Sequence, residues 1–416
     1  MRWGTTVHAD EPTGHEPSAI RSAATSSGSG RFLVGTGSLY GADMALTVVL
    51  TWSVLRISHS PPLAAVALIL NGLPQVMTGI LGPARMGAGS RPARLVFVCG
   101  AVLVAMGGAA IAVDRPDRLI GLLLLAALTE GLGNAAAVPV AQAWWMRRAD
   151  MGGKVRAARD YEIASRVPRI LAPVAGSLLL AAGRLAPALA VVGLGFMLAG
   201  WSWRGRVTMA GGTLRPLAWS EGRRALAGDR WLLAALLLRG LSNVLWPAYS
   251  IGLPWLVMTR FHQSPLTFGL ITTLYGLSTI ALAWPAGRLK VLALGRGYMA
   301  AWALTGVGFV LLGRSPDIVW VYLSVLLIGI GSPLIHMALD AHIGSEIPGE
   351  RQASVFAFQR FVMGVAGLVG LYGVGWLLAR LGTTSVLTLT GLGIVAATVI
   401  AALAAERTRA STTRPL

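Results

Sequence analysis

The chain has 416 residues, of which 55% are apolar and 12% charged, with a formal net charge of +18 and a mean hydropathy of +0.66. A soluble globular chain carries about 25% charged residues, so a single water-filled exterior is excluded. The one cysteine, Cys99, excludes an intrachain disulfide, and the positive charge must be tested against loop topology before any nucleic-acid reading.

Residues 1–31 are polar, include the Gly/Ser run Ser26 to Gly30, and lack the apolar core of a signal peptide. They are read as a flexible cytoplasmic tail. Six apolar segments follow near 32–56, 62–82, 95–113, 119–143, 161–182 and 186–203, and six more near 231–257, 265–286, 297–313, 318–343, 356–379 and 384–404. Each approaches the roughly 20 residues that a helix needs to cross a bilayer. The expectation is an all-α polytopic membrane protein with 12 transmembrane helices. The halves are 32–203 and 231–404, joined by an arginine-rich cytoplasmic loop 204–230 and closed by a cytoplasmic tail 405–416.

Of the 35 lysines and arginines, 25 fall on the side of the termini, seven on the opposite side, and Arg166, Arg169 and Arg239 within or at the edge of spans. The positive-inside rule therefore places both termini in the cytoplasm, and the surplus charge needs no nucleic acid. The halves also repeat. Pro116-Asp117 matches Pro316-Asp317, Gly131-Leu132-Gly133 matches Gly329-Ile330-Gly331, and Asn71-Gly72 sits where Tyr275-Gly276 sits. A common offset near 200 residues predicts two six-helix repeats around a central cavity.

Polar residues select the helices that face that cavity. Span one offers Tyr40, Asp43 and Thr47; span two Asn71, Gln75 and Thr78; span four Glu130 and Asn134; span five Glu162, Arg166 and Arg169. Span seven offers Arg239, Asn243, Trp246 and Ser250; span eight Thr272, Tyr275 and Thr279; span ten Ser332, His336 and Asp340. Spacings of three, four and seven put each set on one helix face. Spans three, six, nine and twelve are almost wholly apolar and are expected to face lipid or pack behind the others.

Glu130 organises the first half. An acid in mid-membrane is disfavoured by about 2.5–3.5 kcal/mol on a translocon scale, so it needs a wet cavity or a partner. It is either a proton carrier or a hydrogen-bonded packing residue, and Asp43 and Asp340 face the same choice. Burial disfavours the charged form of any carboxylate and a nearby cation favours it, which makes Arg239 either a counter-ion to Asp43 or Glu130 or an anchor for an anionic substrate. Arg166 with Glu162 reads as a supporting pair one turn apart. His336 and Asp340 are spaced for a metal, yet no third ligand stands nearby, so a polar pair is the alternative. The glycine pairs Gly35-x-Gly37 and Gly131-x-Gly133 follow no strand and are not nucleotide loops. Gly364, Gly367, Gly370 and Gly373 read as a packing face. Trp52, Trp144, Trp145, Trp255, Trp320 and Trp376 read as interfacial anchors. No cofactor, metal centre or nucleophile–base constellation is read, so an enzyme is not expected.

Across nearly its whole length the sequence resembles the major facilitator superfamily. Glu130-Gly131-Leu132-Gly133-Asn134, then Pro139, is similar to the family's fourth-helix signature, with Ala127 and Glu130 in the places of its Arg and Gln. Ala84-Arg85-Met86-Gly87 with Arg91 and Arg94 resembles the family's Asp-Arg-x-Gly-Arg-Arg turn, Ala84 replacing the Asp. That resemblance implies a gating role for Arg85, Gly87 and Arg91. Arg169 to Gly176 is similar to a Gly-Pro-x-x-Gly signature of drug/proton antiporters, with Ala172 for the first Gly. Ile347-Pro348-Gly349-Glu350 to Val355-Phe356 resembles a loop of multidrug, macrolide and siderophore exporters. The implied function is proton-coupled efflux of amphiphilic small molecules across the cytoplasmic (inner) membrane by a monomer. An importer or uniporter of a polar or anionic metabolite is the alternative.

Overall fold

A computed structural model describes residues 18–81, 92–148, 154–205, 229–286, 291–347 and 349–412. The gating-loop candidates Arg85, Gly87 and Arg91 lie outside the described residues, as do the side chains of Glu162, His336 and Asp340. The chain is all-helical where described, as lipid requires: with no water to bond to, a spanning backbone satisfies its polar groups within the helix. The first half forms α1 (Ser18–Ser58), α2 (Pro61–Leu81), α3 (Pro92–Ile111), α4 (Pro116–Arg148), α5 (Lys154–Ala181) and α6 (Leu185–Trp203). The second half opens with α7, built from Arg230–Leu245, a π-helical turn Ala248–Gly252 and Leu253–Thr259. It continues through α8 (Pro265–Ala286), α9 (Val291–Arg314), α10 (Ile318–Glu346), α11 (Gly349–Leu381) and α12 (Thr383–Thr412).

Among the described residues nine helices are long and apolar enough to cross a membrane, while α8 and α10 hold shorter apolar stretches, Pro265–Ala281 and Ile318–Ser332. Several helices outrun their apolar segments. α1 begins at Ser18, so the Gly/Ser run read as flexible tail is helical, and α12 runs to Thr412 through the expected tail. Two aspartates fix helix starts. Asp317 Oδ1 accepts from the backbone N–H groups of Val319 and Trp320, and Asp229 Oδ1 accepts from that of Leu232. The second Asp229 oxygen lies 2.5 Å from His342 Nε2, which ties the base of α7 to the end of α10.

Helix neighbours repeat between the halves. α1 packs on α5, α2 on α4 and α3 on α6; likewise α7 packs on α11, α8 on α10 and α9 on α12. The crossings repeat too. A Cβ at Gly131 would strike the Asn71 carbonyl, and one at Gly329 would lie 2.9 Å from the Tyr275 carbonyl, so both sequence matches meet at equivalent close approaches. The bundles join along two seams related in the same way, α2 with α11 and α5 with α8. Thr273 Oγ1 donates to the Ile170 carbonyl at 2.7 Å across the second seam, and Trp52 stacks on Phe268 at its end.

Two sequence readings need correction here. Trp144 and Trp145 are buried in the first bundle against Phe32 at 4.9 Å, and Trp52 is buried where the bundles meet against Phe268, so all three are packing residues and do not anchor a membrane interface. Trp320 and Trp376 are exposed, as anchors are. Of the α11 glycines, Gly364 meets Val76 and Gly370 meets the Val244 carbonyl, whereas Gly367 and Gly373 have open space beside them. The packing face is therefore half as long as its spacing implies.

Candidate functional site

A polar network lies inside the first bundle and ends on Glu130. α4 is apolar around this position, and the close α2–α4 crossing at Gly131 leaves Glu130 with no exposed surface. One turn further on, Asn134 donates through Nδ2 to Glu130 Oε1 and to Asp43 Oδ1, the latter at 2.8 Å. Asp43 Oδ2 accepts in turn from Arg169 Nη2 at 3.2 Å. The guanidinium lies 4.3 Å above the Tyr40 ring, and Tyr40 Oη is 3.2 Å from Tyr161 Oη. Exposure falls along this chain, from 42% for the Arg169 side chain to 17% for Asp43 and none for Glu130. The network thus has an open end and a dry end. At the dry end Glu130 Oε2 meets no hydrogen-bond donor among the described residues. Asp43 is charge-paired, while Glu130 is held by a neutral amide, so the two acids have different chemistry available.

The second group lies in the other bundle. Arg239, Asn243 and Trp246 follow one another at helical spacing on α7 and, with Ser242, line a cavity of about 250 Å³. Tyr275 of α8 and Ile328, Ser332 and Ile335 of α10 complete it, together with Trp302 and Thr305 of α9. Asn243 Nδ2 donates to the Arg239 carbonyl at 2.9 Å and sits 3.1 Å from Met363 Sδ of α11. The Trp246 ring packs against Tyr249, Tyr275 and Phe309 with centroids 5.2, 5.9 and 6.0 Å away. Of these rings Trp246 and Tyr275 reach the cavity, where they supply aromatic surface while Arg239 supplies a polar group from the same helix as Trp246.

The candidates taken from the sequence therefore fall into two groups, one in each bundle. Asp43, Glu130 and Asn134 come together, but their cation is Arg169 and not Arg239. Arg239, Asn243, Trp246 and Tyr275 share the second cavity. Asn71 contributes the carbonyl beneath Gly131, and Gln75 is exposed on α2. Sequence reasoning did not single out Arg169 as the partner of Asp43, although its place on the span-five stripe held the signal. Nor did it find Trp302 and Thr305, because an apolar α9 had been set behind the others. A lone Trp among alanines gave no periodic sign.

No group of three His, Cys, Asp or Glu suited to a metal occurs among the described residues. Residues 232–416 match the family model of the Major Facilitator Superfamily. No curated protein matches the chain. Solved structures share the fold over nearly the whole length. A POT family transporter in complex with a thioalcohol-conjugated peptide aligns with a TM-score of 0.71 at 12% identity, over 91% of this chain and 96% of that one. The nucleoside transporter NupG aligns at 0.65 and 13% identity, over 90% and 98%. A bacterial homolog to the human lysosomal transporter Spinster, in an inward-facing and occupied conformation, aligns at 0.65 and 12% identity, over 94% and 98%. The fold is thus the one these transporters share, and the family-model match covers residues 232–416, the second bundle, which is less than half of the chain. Identities this low carry the architecture and leave the cargo open.

Proposed function

We propose that this chain exports amphiphilic small molecules across the cytoplasmic membrane in exchange for protons, as a monomer working by alternating access. The observation that carries the reading is the graded network Arg169–Asp43–Asn134–Glu130, which leads from an accessible cation to a dry acid. An acid in such a place gains or loses a proton only when water reaches it, and rocking of the two bundles about their seams changes which side supplies that water. Protons load Glu130 or Asp43 from outside, and the arriving substrate favours their release inside. The cavity on α7 to α10 holds the substrate. Substrate and proton then occupy different bundles and are coupled by bundle motion without touching.

A second reading, uptake of an anionic metabolite, is favoured by Arg239 in the cavity wall. One experiment separates the two. In everted vesicles with a preset inside-acid gradient and a pH-sensitive dye, an exchanged export substrate should dissipate the gradient on addition. A panel that leaves the gradient untouched would sink proton exchange. Orientation is tested separately. With both termini and 204–230 cytoplasmic, as the loop charges imply, a cysteine placed at Ser220 should resist membrane-impermeant maleimide in intact cells and react in everted vesicles. Ready labelling in intact cells would invert the topology.

A further inference from the structure

We infer that the ends of α1 and α6 form a binding site for an anionic phospholipid, with its phosphate against Arg31 and Arg204 and an acyl chain along α6. The inference rests on the membrane-spanning fold and is independent of cargo and coupling ion. The Arg31 guanidinium lies 4.7 Å above the Trp201 ring, and Trp201 is 53% exposed. Arg204 follows as the C-cap of α6, itself exposed, with its backbone N–H bonded to the Trp201 carbonyl. The two arginines stand at the boundary of apolar spans, Ser29–Ser58 on one helix and Leu185–Trp203 on the other, which is headgroup depth. The platform is fixed from within. Trp203 is buried, stacks on Phe32 at 5.9 Å and donates through Nε1 to the Phe32 carbonyl at 3.2 Å. That bond holds the neighbour of Arg31 against the helix end that carries Trp201, so the guanidinium–indole pair joins two helices in one geometry. Among the described residues neither Arg31 nor Arg204 forms an ion pair, in contrast to Arg169 with Asp43. Two guanidinium groups at one helix end with no carboxylate partner favour an anion, and their N–H donors suit phosphate oxygens. What marks the anion as a lipid is the surface below them. Val191, Leu194, Leu198 and Trp201 are exposed at helical spacing on α6, a stripe about 15 Å long at 1.5 Å per residue. That is half of a hydrocarbon core of about 30 Å, the depth of one leaflet. On the orientation proposed above it is the cytoplasmic leaflet, where anionic lipid is found.

The test places the full chain in nanodiscs with photoactivatable phosphatidylglycerol or phosphatidylcholine, both bearing the same diazirine acyl chain, and maps the label by peptide. On Leu185–Trp203 the phosphatidylglycerol should be favoured by roughly tenfold or more, since each interfacial arginine contributes about fivefold. Arg31→Gln and Arg204→Gln should each remove about fivefold, the double variant should bring the two lipids to parity, and Arg31→Lys should retain most of the preference. The ratio on Phe361–Leu381, whose own Arg380–Trp376 pair lies at the opposite end of the bundles, should hold constant in every variant and so reports an intact fold. Equal labelling by the two headgroups on the unaltered chain, or a preference unchanged in the double variant, would overturn the inference. So would loss of the preference in millimolar inorganic phosphate, which would assign the arginines to a soluble anion. Orientation and site fail separately: an inverted chain would react at position 220 from outside the cell yet keep its headgroup preference. Absence of proton exchange would likewise remove the transport reading and leave the lipid site standing.

Discussion

Glu130→Gln should collapse uphill transport to equilibration. A gradient of about one pH unit stores about 1.4 kcal/mol per proton, enough to hold a substrate ratio of about ten across a vesicle membrane when one proton is exchanged per cycle. In the variant that ratio should fall to one. Gln keeps the size of Glu and can still accept from Asn134, but it does not titrate. Protein level and downhill exchange should therefore survive, which separates loss of coupling from loss of fold. Asp43→Asn should be milder in fold and informative in another way, since it leaves Arg169 without its carboxylate partner. If both variants still concentrate substrate at the wild-type rate, protons do not drive this protein and a uniporter is the better account.

Gly131→Ala should have the largest effect on stability of any single methyl group added to the first bundle. The new Cβ would be driven into the backbone carbonyl of Asn71, and backbone has no rotamer with which to move aside. α2 and α4 must separate, and overpacking of this kind destabilises by about 1–3 kcal/mol. Glu130 precedes this position, so the dry end of the network would open as well. Gly367→Ala is the matched control on α11, with nothing within 4 Å of the added methyl. Thermal unfolding in detergent should show a clear loss for the first and almost none for the second; equal melting temperatures would disprove the close crossing.

What the sequence disclosed followed from lipid. Hydrophobic length and the offset near 200 residues revealed the spans and the repeat, because each helix must satisfy its own backbone in the bilayer and each half must pack its own core. Helix ends were less legible. α1 already includes Ser18, the first described residue, because a helix does not stop where its apolar stretch stops and no proline interrupts Ser18–Ser58. The tryptophans misled because an aromatic near a span end serves an interface or a core equally well, and only the neighbours of Phe32 decide. Arg169 was visible as a charge but not as the partner of Asp43: helical period gives the face, not the rotation of one helix against another. The same limit hid Trp302, whose place in the cavity depends on how α9 turns toward α7.

The π-helical turn in α7 gives that helix a property its neighbours lack. Ala248–Gly252 lies between Pro247 and Pro254, neither of which has an N–H to give to the ladder. Below the turn, Arg230–Leu245 leans on α11 and α12; above it, Leu253–Thr259 touches α1 and α8. The helix is therefore two rods on a joint: both touch α12, but only the lower leans on α11 and only the upper touches α1 and α8. Trp246 sits at the knuckle. A change of angle at that joint would shift the Trp246 ring relative to the rest of the cavity lining, so the shape of the pocket is tied to the geometry of one helical turn.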